Sequence, residues 1–319
     1  MARDSLKFDL NRLSLSGHGE HAHKQVLSDL TIKSYKAANE KFARFVKSEY
    51  GIKTFAKLKE AGTKEVVQAY ADYLKAEGKT AHTIHTYIAP ICKACNLNMD
   101  QIEKGKRTSA EIKRGRYMVE RSEREANLGR YKPSVDLQKS LGIRRNELQN
   151  LTGGDLVRAK DGRLYVVVKS GKGGKRQLQR VLPQDEKAVL DAFAGKAETE
   201  RILSSDALSK NINYHGYRSD IAKEAYRYYC NLSAPEREKL RQFLILKYER
   251  MGHPSDRALK KFKSEVYNDK PYRLRGENLK LALAKGLPIE YDRLALLGVS
   301  VEHLSHWRLD VTINNYMLS

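Results

Sequence analysis

Apolar residues recur at helical spacing through most of the first hundred positions. Tyr35, Phe42, Phe45 and Val46 place a helix over about Asp29–Tyr50, with Gly51 as its C-cap. Thr63 can cap a second helix carrying Val66, Tyr70, Tyr73 and Leu74, which Gly78 stops. A third runs from Thr80 to about Cys95 on Ile84, Tyr87, Ile88 and Ile91, and Pro90 is expected to kink or split it. Residues 1–27 are polar and rich in Gly and His, and are expected to form a mobile arm too short for a domain of its own.

The pattern changes in the middle of the chain. From Glu103 to Arg130 basic residues crowd a stretch with little apolar periodicity. A helix from Val135 leads to Gly142-Ile143-Arg144-Arg145-Asn146-Glu147. The β-branched runs Arg163–Lys169 and Arg176–Leu182 then read as two strands of a hairpin, joined by Ser170-Gly171-Lys172-Gly173-Gly174-Lys175. Helical periodicity returns over His215–Tyr229, and again over Ala234–Arg250, Arg257–Tyr267 and Glu277–Lys285. Gly195–Asn213 has no clear pattern, and no internal repeat is visible.

Composition narrows the classes. The 319 residues suffice for two domains, and 40% hydrophobic with 31% charged residues is a globular balance. Sixty Lys and Arg against 39 Asp and Glu give a net charge of +21, which calls for a polyanionic partner, nucleic acid before membrane. No apolar run approaches the roughly 20 residues of a membrane span. The first residues lack a signal-peptide core, so a cytoplasmic location is expected. Cys92, Cys95 and Cys230 are too few for a disulfide framework. His82-x-x-His85 and Cys92-x-x-Cys95 share one helical segment and lack finger spacing, so no metal is expected. The Gly171-x-Gly173-Gly174 turn lacks nucleotide-loop spacing, and no cofactor is expected.

One chemistry unites the remaining motifs. Cutting a DNA phosphodiester needs a nucleophile that keeps the bond energy in a covalent link. It also needs fixed positive donors for the non-bridging oxygens and an acid for the departing 5′-oxygen. Arg144 and Arg218 can fork onto one phosphate. His215 lies one helical turn before Arg218, and Glu147 one turn after Arg144. Lys172, with Lys175 as its competitor, sits on a glycine-flanked turn. Leu304-Ser305-His306 precedes Tyr316 by ten positions. Each piece alone is common; their order along the chain is the signal.

That order resembles the tyrosine recombinase (phage integrase) family, over about residues 135–230 and 295–319, and loosely in the N-terminal part. The resemblance implies a mainly α fold with a small β-sheet: a helical, SAM-like core-binding domain (28–105), a basic linker (106–130) and an α+β catalytic domain (131–319), closing as a C-shaped clamp on DNA. It implies Arg144 and Arg218 as the phosphate clamp, Lys172 as general acid, His215 as proton handler, His306 as supporting donor and Tyr316 as nucleophile, with Glu147 orienting a neighbour. DNA contacts are expected from His82, Thr83, His85 and Thr86 on the third helix, from Lys113, Arg114 and Arg116 in the linker, and from Lys175. Double-stranded DNA is the implied partner, cut through a 3′-phosphotyrosyl link without metal or ATP. The implied assembly is a monomer in solution and a homo-tetramer in the synapse, with accessory DNA-bending or directionality proteins. A phage or other mobile element in a bacterial cytoplasm, at the nucleoid, is the implied setting.

The family pattern is broken in three places. Arg218 and His306 stand 88 positions apart, far beyond the family's short segment, so about 231–290 reads as an insertion. Its Lys247, Arg250, Lys260, Lys261, Lys263, Lys270, Arg273 and Arg275 are expected to meet DNA or a neighbouring protomer. His306 is slightly farther from its tyrosine than is common, yet its spacing is better than that of His253 from Tyr267. Only three residues follow Tyr316, which leaves little to exchange between protomers. A type IB topoisomerase shares the chemistry but usually has lysine where His215 stands. A non-catalytic DNA-binding relative is the alternative of a different class.

Overall fold

Thr80 and the glycines set helix ends in the N-terminal part much as their chemistry dictates. The computed structural model describes residues 5–16, 29–107, 128–171, 176–209, 212–250 and 254–318. The chain divides into two compact units, Met1–Lys113 and Arg114–Ser319, at a point inside the expected linker.

In the first unit, α1 (Leu6–Ser16) is followed by α2 (Asp29–Tyr50), α3 (Phe55–Glu60), α4 (Thr63–Ala76) and α5 (Ala81–Ala94). Gly51 and Gly78 end α2 and α4 at φ 64° and 69°, the left-handed conformation a glycine adopts without strain. Gly62, not Thr63, caps α4, while Thr80 caps α5 through its side chain. Pro90 lies within α5 without dividing it. Ile88 and Ile91, fully buried on either side, hold the helix through packing.

The expected mobile arm needs correction over residues 6–16. These form α1, which packs on α2 and α5. Leu6 and Leu10 are buried, worth roughly 1.5–3 kcal/mol each. Fully buried Asn39 of α2 donates to Asn11 Oδ1 at 2.9 Å and Ser14 Oγ at 3.0 Å, bolting the helices together. Neither a sparse Leu6-Leu10-Leu13 stripe nor a buried asparagine stands out in sequence.

The second unit opens with α6 (Lys132–Leu141) and α7 (Arg145–Gln149), followed by strands β1 (Leu156–Arg158), β2 (Leu164–Val168) and β3 (Gln177–Arg180). The three form an antiparallel sheet in the order β1-β2-β3, with Leu156 opposite Val166 and Tyr165 opposite Arg180. The hairpin is as expected; β1, three residues long, is an addition. Every residue of β2 is buried. Leu164, Val166 and Val168 enter one core with Leu137, Leu141, Leu148 and Phe193, which by strand alternation sends Tyr165 to the other face.

After α8 (Glu186–Phe193) comes α9 (Tyr214–Cys230), then α10 (Ala234–Glu249), α11 (Asp256–Val266), β4 (Tyr272–Arg273), α12 (Gly276–Ala284), β5 (Glu290–Tyr291) and α13 (Arg293–Gly298). Two π-helical turns, Val299–His303 and Ile313–Met317, flank the short α14 (Leu309–Thr312). The 231–290 segment belongs to the core of this unit. Its Leu240, Leu244, Phe262, Val266 and Ala282 bury into one cluster with Tyr229, Leu296 and Tyr316.

Candidate active site

Gly142 ends α6 at φ 59°, and a Cβ there would lie 2.8 Å from Ile221 Cβ of α9. Only glycine allows this approach. Gln138 secures the corner, donating to Ile143 O at 2.7 Å and Tyr214 O at 2.8 Å. The approach places Gly142 O against Arg218.

Arg218 is buried and holds three segments together. Its Nη1 donates to Gly142 O, its Nη2 to Leu304 O at 3.1 Å and its Nε to Tyr316 Oη at 3.3 Å. Two of its five N–H groups have no such commitment among the described residues. Burial lowers its pKa, with the Tyr316 hydroxyl opposing; a guanidinium nevertheless stays charged. Its Cζ lies 5.7 Å from the centroid of the Tyr316 ring. Two imidazoles lie near that ring: His215 with centroids 5.4 Å apart, and His306, roughly stacked, at 6.0 Å. Residues 98 positions apart in sequence thus meet at one phenol.

Arg144 is turned aside. Its Nη1 meets Glu147 Oε1 at 2.6 Å, and Glu147 Oε2 accepts the Arg144 N–H at 2.9 Å at the start of α7. Glu147 is buried while the Arg144 side chain is 30% exposed. Its charge still reaches the site, since it helps to lower the pKa values of Arg218 and His306.

The loop bearing His306 is strained. Ser305 and Trp307, on either side of it, both have φ 54°, which costs a non-glycine residue about 1 kcal/mol or more. Fully buried Ser300 organises the loop: Ser300 O accepts the His306 N–H at 3.1 Å, and Ser300 Oγ accepts the Arg308 N–H at 2.9 Å. Ser300 Oγ also lies 3.3 Å from His306 Nδ1. If the hydroxyl hydrogen goes to Nδ1, the ring hydrogen sits on Nε2. His306 Nε2 is buried without a hydrogen-bond partner among the described residues. Burial first, then the charges of Arg218 and Arg144, push the His306 pKa down to about 4, so the ring is neutral near pH 7. A neutral buried N–H with nothing to bind, beside a phenol and a guanidinium, suits a phosphate oxygen.

Much of what supports this loop is not legible in the sequence. Trp307 packs against Tyr248 of α10 and Phe262 of α11, with centroids at 5.3 and 5.5 Å. The 231–290 segment therefore braces the residue next to His306. Glu302, on the π-helical turn before Leu304, is fully buried among cations. Arg163 Nη1 lies 3.4 Å, Arg180 Nη1 3.5 Å and Lys247 Nζ 3.7 Å from its carboxylate. Arg180 also donates to Tyr229 Oη at 3.2 Å, which lies 3.1 Å from His303 Nε2. This ties the residue leading into β2, the end of β3 and α10 to the turn. Lys247, expected at DNA, faces inward instead, because the buried carboxylate holds it. Lys263 and Arg273 carry ion pairs to Glu249 and Glu290.

Lys172 and Lys175, on the hairpin turn, and Lys113, Arg114 and Arg116, in the linker, lie outside the described residues, as does His253. In the N-terminal unit, the residues expected to read a groove are engaged within the unit itself. Thr83 pairs with Thr80 at the helix cap, His85 Nε2 lies 3.1 Å from Gly105 O, and Thr86 Oγ1 donates to His82 O at 2.9 Å. Among the described residues no group of His, Cys, Asp and Glu could hold a metal ion, and no helix is long and apolar enough to cross a membrane.

No protein-family model and no curated protein matches the chain. Among solved structures it is similar to the crystal structure of XerA recombinase, with 13% identity over 82% of this chain and 93% of that one, at a TM-score of 0.25. Overlap at that level does not establish a common fold.

Proposed function

We propose that the chain is a site-specific DNA recombinase of the tyrosine type, serving a phage or other mobile element. The supporting observation is the convergence of Arg218, His215 and His306 on the Tyr316 side chain, with Arg218 at its hydroxyl. A guanidinium reaches its oxygen, and two imidazole rings lie within 6.0 Å of its own ring, centroid to centroid.

In this reading Tyr316 Oη attacks the scissile phosphorus and its proton passes to His215. The uncommitted N–H groups of Arg218 and the Nε2–H of His306 receive the non-bridging oxygens. Arg144 joins them when the phosphate competes with Glu147 for its guanidinium. Lys172 gives its proton to the departing 5′-oxygen, leaving a 3′-phosphotyrosyl link that another 5′-hydroxyl can reverse. Exchange between two duplexes takes four copies of the chain. The test is incubation with a nicked suicide duplex in EDTA without nucleotide. A denaturant-resistant protein–DNA adduct is expected, and its absence over a wide panel of mobile-element end sequences would count against the reading.

A further inference from the structure

The 231–290 segment, which the family pattern does not explain, lines most of a cavity of 660 Å³ through its residues 268–278. The β4–β5 ribbon contributes to it, with Tyr272 opposite Tyr291 and Arg273 opposite Glu290. Lys270, Arg273, Arg275 and Arg293 line it together with Asn268 and Asn278, and no carboxylate does. Two of the four cations are already balanced. Arg273 Nε lies 2.8 Å from Glu290, and Arg293 pairs with Glu265. Lys270 and Arg275 are exposed and have no ion-pair partner among the described residues. Concave surfaces with uncompensated positive charge concentrate anions.

The chemistry of the lining favours a backbone phosphate over a free nucleotide. The Tyr272 ring has the Arg293 guanidinium over it at 5.5 Å, so it is not an open platform for a base. What remains are charges and amides, which bind phosphate without reading sequence. One amide leads onward. Asn278 Nδ2 donates to Asn314 Oδ1 at 2.6 Å, and Asn314 belongs to the π-helical turn that carries Tyr316.

We propose that this cavity holds a DNA backbone phosphate away from the cleavage point, and that Asn278 ties its occupancy to the position of the nucleophile. The proposal rests on the recombinase reading and names a contact within it. An anion bound between Lys270 and Arg275 orders the cavity wall and, through Asn278 and Asn314, the turn below Tyr316. DNA held at a second point would thereby favour a fixed phenol.

The test uses the full chain and a duplex, with binding measured over a series of NaCl concentrations. Each phosphate contact contributes about 0.9 to the log–log salt slope. Lys270→Gln/Arg275→Gln should flatten the slope by roughly one to two, while Lys260→Gln/Lys261→Gln, the same charge change on α11 outside the cavity, should alter it less. Asn278→Ala should keep the wild-type slope but slow adduct formation at saturating DNA several-fold. A flat plot for the wild type would defeat the DNA reading as a whole. A steep wild-type plot with equal slopes for the two double variants would overturn the cavity alone. An adduct rate unchanged in Asn278→Ala would overturn the tie to Tyr316.

Discussion

Acidification puts a proton on His306 of the unfolded chain well before the folded chain will take one. The unfolded imidazole titrates near 6.5, whereas burial and the neighbouring arginines hold the folded one at about 4. A depressed histidine pKa means that this contribution is intact above about pH 6.5 and is lost as pH falls toward 4. Between pH 7 and pH 5 the linkage amounts to about 2 kcal/mol. His303, fully buried and also pushed well below its ordinary value, adds a loss of the same sign. The assay is urea unfolding at pH 7, 6 and 5, followed by the fluorescence of the single tryptophan. Trp307 is next to His306 and packed on Tyr248 and Phe262, so it reports on this unit. His306→Asn should shrink the acid loss by about 2 kcal/mol. An equally steep loss in the variant would show that His306 is not held neutral by its surroundings, and its role as a neutral donor would fall.

Three other outcomes follow from the same geometry. Gly142→Ala should destabilise the C-terminal unit by about 2–5 kcal/mol, combining left-handed strain with overlap on Ile221, and should slow adduct formation by displacing an Arg218 partner; urea midpoints and adduct rates check both. Glu302→Gln should cost about 3–5 kcal/mol, since Arg163, Arg180 and Lys247 lose the carboxylate that gathers them; a change under about 1 kcal/mol would mean that the ion pairs do no more than offset the desolvation of the buried carboxylate. Lys172→Ala should be badly impaired on ordinary DNA and largely rescued by a 5′-bridging phosphorothioate, whose thiolate leaves without a proton. Arg144→Ala and Arg218→Ala should not be rescued, and rescue of Lys175→Ala instead would move the acid along the turn.

Legibility of the chain followed the range of the interactions. Helices α2, α4 and α5 rest on local periodicity and caps, and were readable nearly to the residue. α1 escaped because its anchor, Asn39, is polar and lies in another helix. In the site, Arg218, His215, His306 and Tyr316 could be named from residue type and order, and the fold brings them together. Ser300, Glu302 and Trp307 could not. Their roles depend on what the fold packs around them: Ser300 and Glu302 are fully buried, and Trp307 rests on Tyr248 and Phe262 from elements far back along the chain. Lys247 shows the converse: its place in a basic run suggested phosphate, but a buried carboxylate holds it inside.

In the proposed reaction Tyr316 forms the covalent bond to DNA. The most direct measurement traps the adduct on a nicked duplex, digests protein and DNA, and locates the nucleotide-bearing peptide by mass spectrometry. The modified residue should be Tyr316, and Tyr316→Phe should bind the duplex with wild-type affinity yet give no adduct. A nucleotide on Tyr267 or Tyr291, or an adduct of normal yield from Tyr316→Phe, would contradict the account.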